Sequence, residues 1–223
     1  MNHQSANQIQ ADTSGFRRSS QADTADVLAD IYQEDVNISI WQRDLSLELI
    51  EASASILNSK HAFRFSSSVE PQNTFDSLYS ALGENTQAQI ISSDVSEIVN
   101  MFCCLFDLER VGLRLATLEQ AMCPKFHVDR VPCRLVTTYH GIATEWLSHQ
   151  DVNRQKLGTG SKGKSDEESG LYRETKQIQH LNSGEVALLK GESWLGNEGA
   201  GLVHRSPSLT SPNKRFLLTL DFN

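Results

Sequence analysis

The chain has 223 residues, 39% of them hydrophobic, and a formal net charge of -8 at pH 7. That length suffices to bury a real core as one decorated domain, and the acidic balance argues against a general electrostatic grip on nucleic acid or anionic lipid. No run approaches the roughly 20 apolar residues of a membrane span, and the start "MNHQSANQIQADTSG" lacks the apolar core of a secretory signal.

A cytoplasmic protein is therefore expected, with a small-molecule or protein substrate and neither nucleic acid nor membrane as partner. The four cysteines, Cys103, Cys104, Cys123 and Cys133, are too few for a secreted disulfide framework, so reduced thiols are expected.

Residues 1–25 are rich in Gln, Ser, Asn, Asp and Thr, a composition that cannot offset the entropy of ordering, and they read as a flexible tail ahead of one domain over 26–223. A short apolar run then leads to Trp41. Leu45, Leu49, Ala52 and Ile56 recur at helical spacing, which predicts a helix over about 43–58. "HAFRFSSSV" has the texture of a strand. "TFDSLYSALG" predicts a helix ended by Gly83, and "SSDVSEIVNMFCCLFDLE" a second one with Ser93 or Asp94 as N-cap, its Cys103 and Cys104 reading as core.

After Arg110 the pattern changes. "VGLRLATLE", "KFHVD", "CRLVTTYHG", "TEWLS", "IQHLN", "EVALLKG", "GLVHRS" and "RFLLTLDF" are short segments rich in apolar and β-branched residues, separated by Gly, Pro, Asn and Ser. This spacing predicts an antiparallel sandwich or barrel. "RQKLGTGSKGKSDEESG" interrupts it, and its charge and Gly/Ser content read as a mobile loop near 150–170 that could gate substrate entry. Its "GTGSKGKS" lacks the spacing and the strand-to-helix setting of a phosphate-binding loop.

Within "CPKFHVDRVPCRLVTTYHG", His127 and Asp129 are two residues apart. In a strand they share a face, where an imidazole and a carboxylate make a metal-ligand pair, although a capping histidine and a turn-forming aspartate account for them equally well. His204 in "GLVHRSP" supplies a second imidazole. Two histidines and a carboxylate on one face of a barrel form the triad suited to non-haem Fe(II), and the donor set also fits Mn, Co, Ni or Zn.

Arg215 opens the last strand, where its planar fork could capture a carboxylate in the same cavity. Arg134 needs a partner if buried: it could bind a carboxylate-bearing ligand, orient Asp129 or reach solvent. Tyr139 and Trp146 are candidates to line the pocket. Cys123 would share a face with His127 and Asp129 in an unbroken strand, and thiolate with imidazole suits zinc, but Pro124 and Pro132 interrupt the register around Cys123 and Cys133. Lys190 and Trp194 precede a glycine-rich turn fit for close backbone approach. His61, His140, His149 and His180 fall outside the ligand pattern, and His3 belongs to the expected tail.

The order HxD, distal His, then Arg resembles the double-stranded β-helix of the Fe(II)/2-oxoglutarate oxygenases. That resemblance implies an α+β protein with a cupin-like jelly-roll barrel buttressed by the N-terminal helices. It implies iron on His127, Asp129 and His204, and 2-oxoglutarate held by Arg215 with Arg134 and Tyr139 beside it. Over residues 30–223, "MCPKFHVDRVPCRLVTTYHGIATEWL", "EVALLKGESW", "GLVHRSP" and "RFLLTLD" resemble the bacterial family named domain of unknown function 1826, which carries a faint association with zinc homeostasis. A non-catalytic zinc-holding or zinc-sensing protein on the same barrel is therefore the competing expectation.

Overall fold

A computed structural model describes residues 15–59, 61–210 and 213–223. Strand β1 (Arg18–Ala22) is followed by a 3-10 turn over Ala25–Tyr32 and strand β2 (Val36–Trp41). Of the expected tail, residues 1–14 lie outside the described residues. Residues 18–22 do not belong to a tail: β1 pairs in parallel with β2, so ladder hydrogen bonds hold a segment with few apolar side chains of its own.

Helix α1 (Leu47–Leu57) begins where the Ser46 hydroxyl accepts a hydrogen bond from the Leu49 N–H, satisfying one of the free donors of the first turn. Strand β3 (Arg64–Val69) leads into α2 (Pro71–Leu82), with proline in the first turn and Gly83 in the left-handed conformation at its end. Helix α3 (Thr86–Phe106) starts a full two turns earlier than the sequence pattern suggests. Its cap is Asn85, whose side chain accepts from Ala88 N–H, and Ser93 and Asp94 lie inside it. Its length and hydropathy would suffice to cross a membrane, but Ile91, Val95, Ile98, Val99 and Phe102 are buried in the core cluster shared with the sheet.

The remaining strands are β4 (Val111–Leu118), β5 (Cys133–His140), β6 (Glu145–Leu147), β7 (Ile178–His180), β8 (Val186–Lys190), β9 (Val203–Arg205) and β10 (Arg215–Phe222). They form a seven-stranded sheet in the order β1-β2-β8-β5-β10-β4-β3 and a three-stranded sheet in the order β7-β6-β9. A bridge between His127 and His204 extends the small sheet by one position. The architecture is mixed α and β, with both faces of the large sheet covered.

Side-chain alternation separates those faces. Leu113, Leu115, Cys133, Leu135, Tyr139, Val186, Leu188, Phe216, Leu218 and Leu220 pack with helices α1 and α3. On the other face, Val136, Ala187 and Leu189 pack with Ile38, Ile40, Trp146 and Leu202. The first N-terminal half thus buttresses the sheet while the second half builds the site.

The expected loop near 150–170 consists of short 3-10 turns and a one-turn helix α4 (Asp166–Ser169). Asp166 anchors it: its carboxylate accepts from Phe126 N–H at 3.0 Å and from Arg205 Nη1 at 3.1 Å.

Leu218, at the centre of β10, is fully buried against the helices. Leu218→Ala should lower stability by about 2–5 kcal/mol through lost transfer energy and a residual cavity. Urea unfolding followed by circular dichroism measures this, and a loss below about 1 kcal/mol would contradict the placement of the core.

Candidate metal centre

His127, Asp129 and His204 come together although 77 residues of chain separate the first from the last. The backbone brings them there. His127 and His204 exchange both N–H···O=C bonds at 3.0 Å across the bridge, and their rings stand 4.6 Å apart, centroid to centroid. One ligand atom from each of the three residues lies within 4.8 Å of the other two.

Each histidine places its Nδ1 near a backbone carbonyl two residues back, 3.0 Å from Lys125 O and 3.2 Å from Leu202 O. A carbonyl only accepts, so both Nδ1 atoms carry the proton and both Nε2 atoms are left with a lone pair in the neutral ring. Those Nε2 atoms point at Asp129, His204 at 3.3 Å from Oδ2 and His127 at 3.7 Å from Oδ1. Three acceptors therefore face one another. Either a proton or a cation must lie between them.

Burial and neighbouring charge act on both groups. Burial, then repulsion from His204, pushes the His127 pKa below its ordinary value. Burial would raise the Asp129 carboxyl, but His204 and Arg134 outweigh it and hold its pKa below the usual value. At neutral pH a neutral imidazole thus faces an ionised carboxylate, the state in which both bind metal. The Oδ2 atom of Asp129 is buried and lies 2.8 Å from Arg134 Nη1, but it accepts no well-aligned hydrogen bond among the described residues. Ligands bound at 2.0–2.2 Å and at right angles stand about 3 Å apart, so the observed separations need only small rotations to close on one ion. The residues fit a divalent metal.

Arg134 takes the second of the three roles open to it. Its Nη1 donates to Asp129 Oδ1 at 2.9 Å, while Nε and Nη2 clasp Asp221 at 2.7 and 3.0 Å. Asp221 is its cross-strand neighbour on β10. The bidentate pair fixes the guanidinium, and the third arm fixes the carboxylate. It orients Asp129 and has little left for a ligand.

Gly191 lets this corner close. A Cβ there would meet Val131 O at 2.0 Å and Asp129 O at 2.9 Å, while Gly191 N–H and Glu192 N–H bond Pro132 O and Asp129 O. The close approach is to the ligand-bearing chain itself. On the outer side, Arg205 bonds Glu145 and Asp166 and lies 4.2 Å over the Phe126 ring, bracing the residue before His127.

Arg215 shares a sheet face with Arg134, since the two alternate in phase across β5 and β10. It is wholly buried, with Nη2 near the hydroxyls of Thr138 and Thr144 at 3.3 and 3.4 Å. Its Nε and Nη1 have no partner among the described residues, and no carboxylate forms an ion pair with it there. Burial lowers its pKa to about 10, which still leaves it charged at neutral pH. A buried, unpaired guanidinium costs several kcal/mol unless an anion joins it.

Thr144 lies two residues before Trp146, which pairs with His204. Thr144 thus ties Arg215 to the chain segment that pairs with the second histidine.

Tyr139 does not belong to this site. It lies on the helix face, fully buried, with its hydroxyl 2.5 Å from Asp94, which Arg43 also holds through two bonds. An odd position on β5 cannot join the even-numbered Arg134. The same parity removes Cys133 to the helix core, where burial pushes its thiol far above the ordinary range, and Cys123 is exposed and outside the ligand group. Lys190 also points to the helix side, over Trp194 and bonded to Gln33 O. Asp221, Asp166 and Arg205 were not singled out by sequence. Asp221 had a legible signal, a charge at the inward parity of an otherwise apolar strand.

The family described as "Protein of unknown function (DUF1826)" matches residues 22–221. The chain belongs to that family. No curated protein matches the sequence. Among solved structures, the DUF1826 chain is similar to dioxygenase for auxin oxidation 1 from Arabidopsis thaliana in its binary complex with 2-oxoglutarate, at 7% identity and a TM-score of 0.51 over 93% of both chains. A prolyl-4-hydroxylase from Pseudomonas putida aligns at 11% identity and a TM-score of 0.45 over 89% of this chain and 97% of its own. The first likeness places the DUF1826 chain in the same fold; the second score is too low to add to it.

His204→Ala should abolish Fe(II) retention while leaving the circular dichroism spectrum unchanged, because the core is built elsewhere. Arg134→Gln should keep the site but weaken it about 10–100-fold, the usual cost of losing a residue that orients a ligand. Metal content after desalting under nitrogen reads both effects; full occupancy in His204→Ala contradicts the centre.

Proposed function

We propose that this protein is a mononuclear non-haem Fe(II)/2-oxoglutarate-dependent oxygenase whose two sheets are the walls of a double-stranded β-helix. The observation that carries the reading is Arg215: a fully buried cation with two unpartnered donors, on the same inner face as the residues that orient the metal ligands. A bare metal site has no use for it.

His127, Asp129 and His204 would hold iron on one side, leaving its other positions free. Iron, when bound, supplies the redox and Lewis-acid chemistry by which dioxygen and 2-oxoglutarate are turned over. The protein's part is placement. Arg215 receives the far carboxylate of the cosubstrate through its free Nε and Nη1, and the Thr138 and Thr144 hydroxyls steady Nη2. Arg134 keeps Asp129 ionised and turned toward the metal, with Asp221 absorbing the remaining charge. Trp146, Val136 and Leu189 keep water from the inner wall, which strengthens the ionic contacts at Arg215.

The same ligand set accommodates zinc, so a zinc-holding protein remains the competing reading, and cosubstrate binding separates the two. Arg215→Ala should retain metal yet bind 2-oxoglutarate about tenfold to a hundredfold more weakly, the value of a charge-assisted hydrogen bond. Arg215→Lys should recover only part, since it keeps the charge and loses the fork. Calorimetric titration of the Fe(II)-loaded proteins under nitrogen is the measurement. Equal affinities for wild type and Arg215→Ala would remove the cosubstrate role.

A further inference from the structure

A second group of cations surrounds the end of the large sheet where the metal ligands lie. Lys190, the last residue of β8, pairs with Cys133 beside Arg134, and the chain beyond it folds over that end. Glu192 ties this segment to the metal centre: its N–H bonds Asp129 O at 2.9 Å. Its side chain turns the other way, accepting from Gly199 and Gly201 N–H and lying 3.6 Å from Arg154 Nη1.

Three remote segments bring their cations together here. Arg17 is 8% exposed, yet among the described residues its guanidinium bonds neutral acceptors, Asn197 Oδ1, Phe16 O and Gly196 O. Gln150 of the next segment donates to Arg17 O. Arg154 donates to Gly201 O at 2.6 Å and lies 3.2 Å from His149 Nδ1, and its Nε is buried without a partner. Among the described residues, Glu192 is the single carboxylate within ion-pairing distance of the group, and at 3.6 Å it makes no hydrogen bond to Arg154.

The charges affect one another. Burial, then Arg154 and Arg17, lowers the His149 pKa. Burial, then Arg17 against the opposing Glu192, lowers that of Arg154. Lys190 is lowered to about 8, by burial first and Arg17 next. In a chain of net charge -8, such a concentration of under-neutralised cations is costly unless an anion completes it.

We infer that Arg17, Arg154 and His149 form a subsite for an oxyanion carried by the substrate. The arrangement offers an unpartnered N–H at Arg154 Nε, a second guanidinium that brings charge, and a neutral imidazole whose Nδ1 accepts from Arg154, leaving Nε2–H as a donor. Through Glu192, whose N–H bonds Asp129 O, it is linked to the metal centre. Assignment of the anion to a substrate rests on the oxygenase reading; binding of the anion does not.

Inorganic phosphate is the probe, titrated calorimetrically into the full-length, metal-free protein at low ionic strength. Saturable binding is expected, weakened at least tenfold in Arg154→Gln and in Arg17→Gln, and changed less than twofold in Arg215→Ala. Circular dichroism checks the fold of each variant, and the wild-type titration is decisive even if one variant fails to fold. Absence of saturable binding to wild type, equal binding by folded Arg154→Gln, or equal loss in Arg215→Ala would each overturn the subsite. Because no iron or 2-oxoglutarate enters the experiment, its failure is distinct from failure of the oxygenase reading.

Discussion

Strands β5 and β10 are buried on both faces, and the two-residue alternation along them decides what each side chain can do. Phase with Leu135 or Leu218 places a residue among the helices, so Tyr139 ends on Asp94 and Cys133 in the core. Phase with Arg134 or Leu217 places it between the sheets. A polar group there, half-buried at Arg134 or fully buried at Arg215, is stabilised by a partner. Arg134 finds Asp129 and Asp221. Arg215 finds two threonines and no carboxylate.

This contrast separates a structural ion pair from a binding group. The Asp129–Arg134–Asp221 arrangement carries two negative charges against one positive charge and leaves the Asp129 carboxylate facing two imidazole lone pairs, His204 at Oδ2 and His127 at Oδ1. One divalent cation would resolve both the excess negative charge and the facing acceptors. At Arg215 the excess is positive and the free groups are donors, so an anion resolves it. The two deficits are complementary, and a metal-chelating dicarboxylate satisfies both at once.

Much of this was legible in the sequence because it follows from local rules. Each of the segments with strand texture after Arg110 supplies a strand or, for "KFHVD", the bridge at His127; alternation and Gly/Pro punctuation suffice to find them. The HxD pair and the distal histidine converge as their spacing suggests. Residues 134 and 139 differ in parity, and that alone separates Tyr139 from the face of Arg134. Other features depend on distant chain. β1 is held by pairing with β2 rather than by an apolar face, and the 150–170 segment is pinned by Asp166 to Phe126 and Arg205. The start of α3 was misjudged because Ser93 and Asp94 resemble caps, whereas Asp94 sits inside the helix to receive Arg43 and Tyr139.

The oxygenase reading requires one divalent metal and one chelating cosubstrate to bind together between the sheets. Its most direct test is absorption spectroscopy of the Fe(II)-loaded protein under nitrogen as 2-oxoglutarate is added. A visible metal-to-ligand charge-transfer band should grow to saturation at one equivalent of bound iron, and it should be absent from His204→Ala. Bound metal with no such band, or with a band that persists in His204→Ala, would contradict the account.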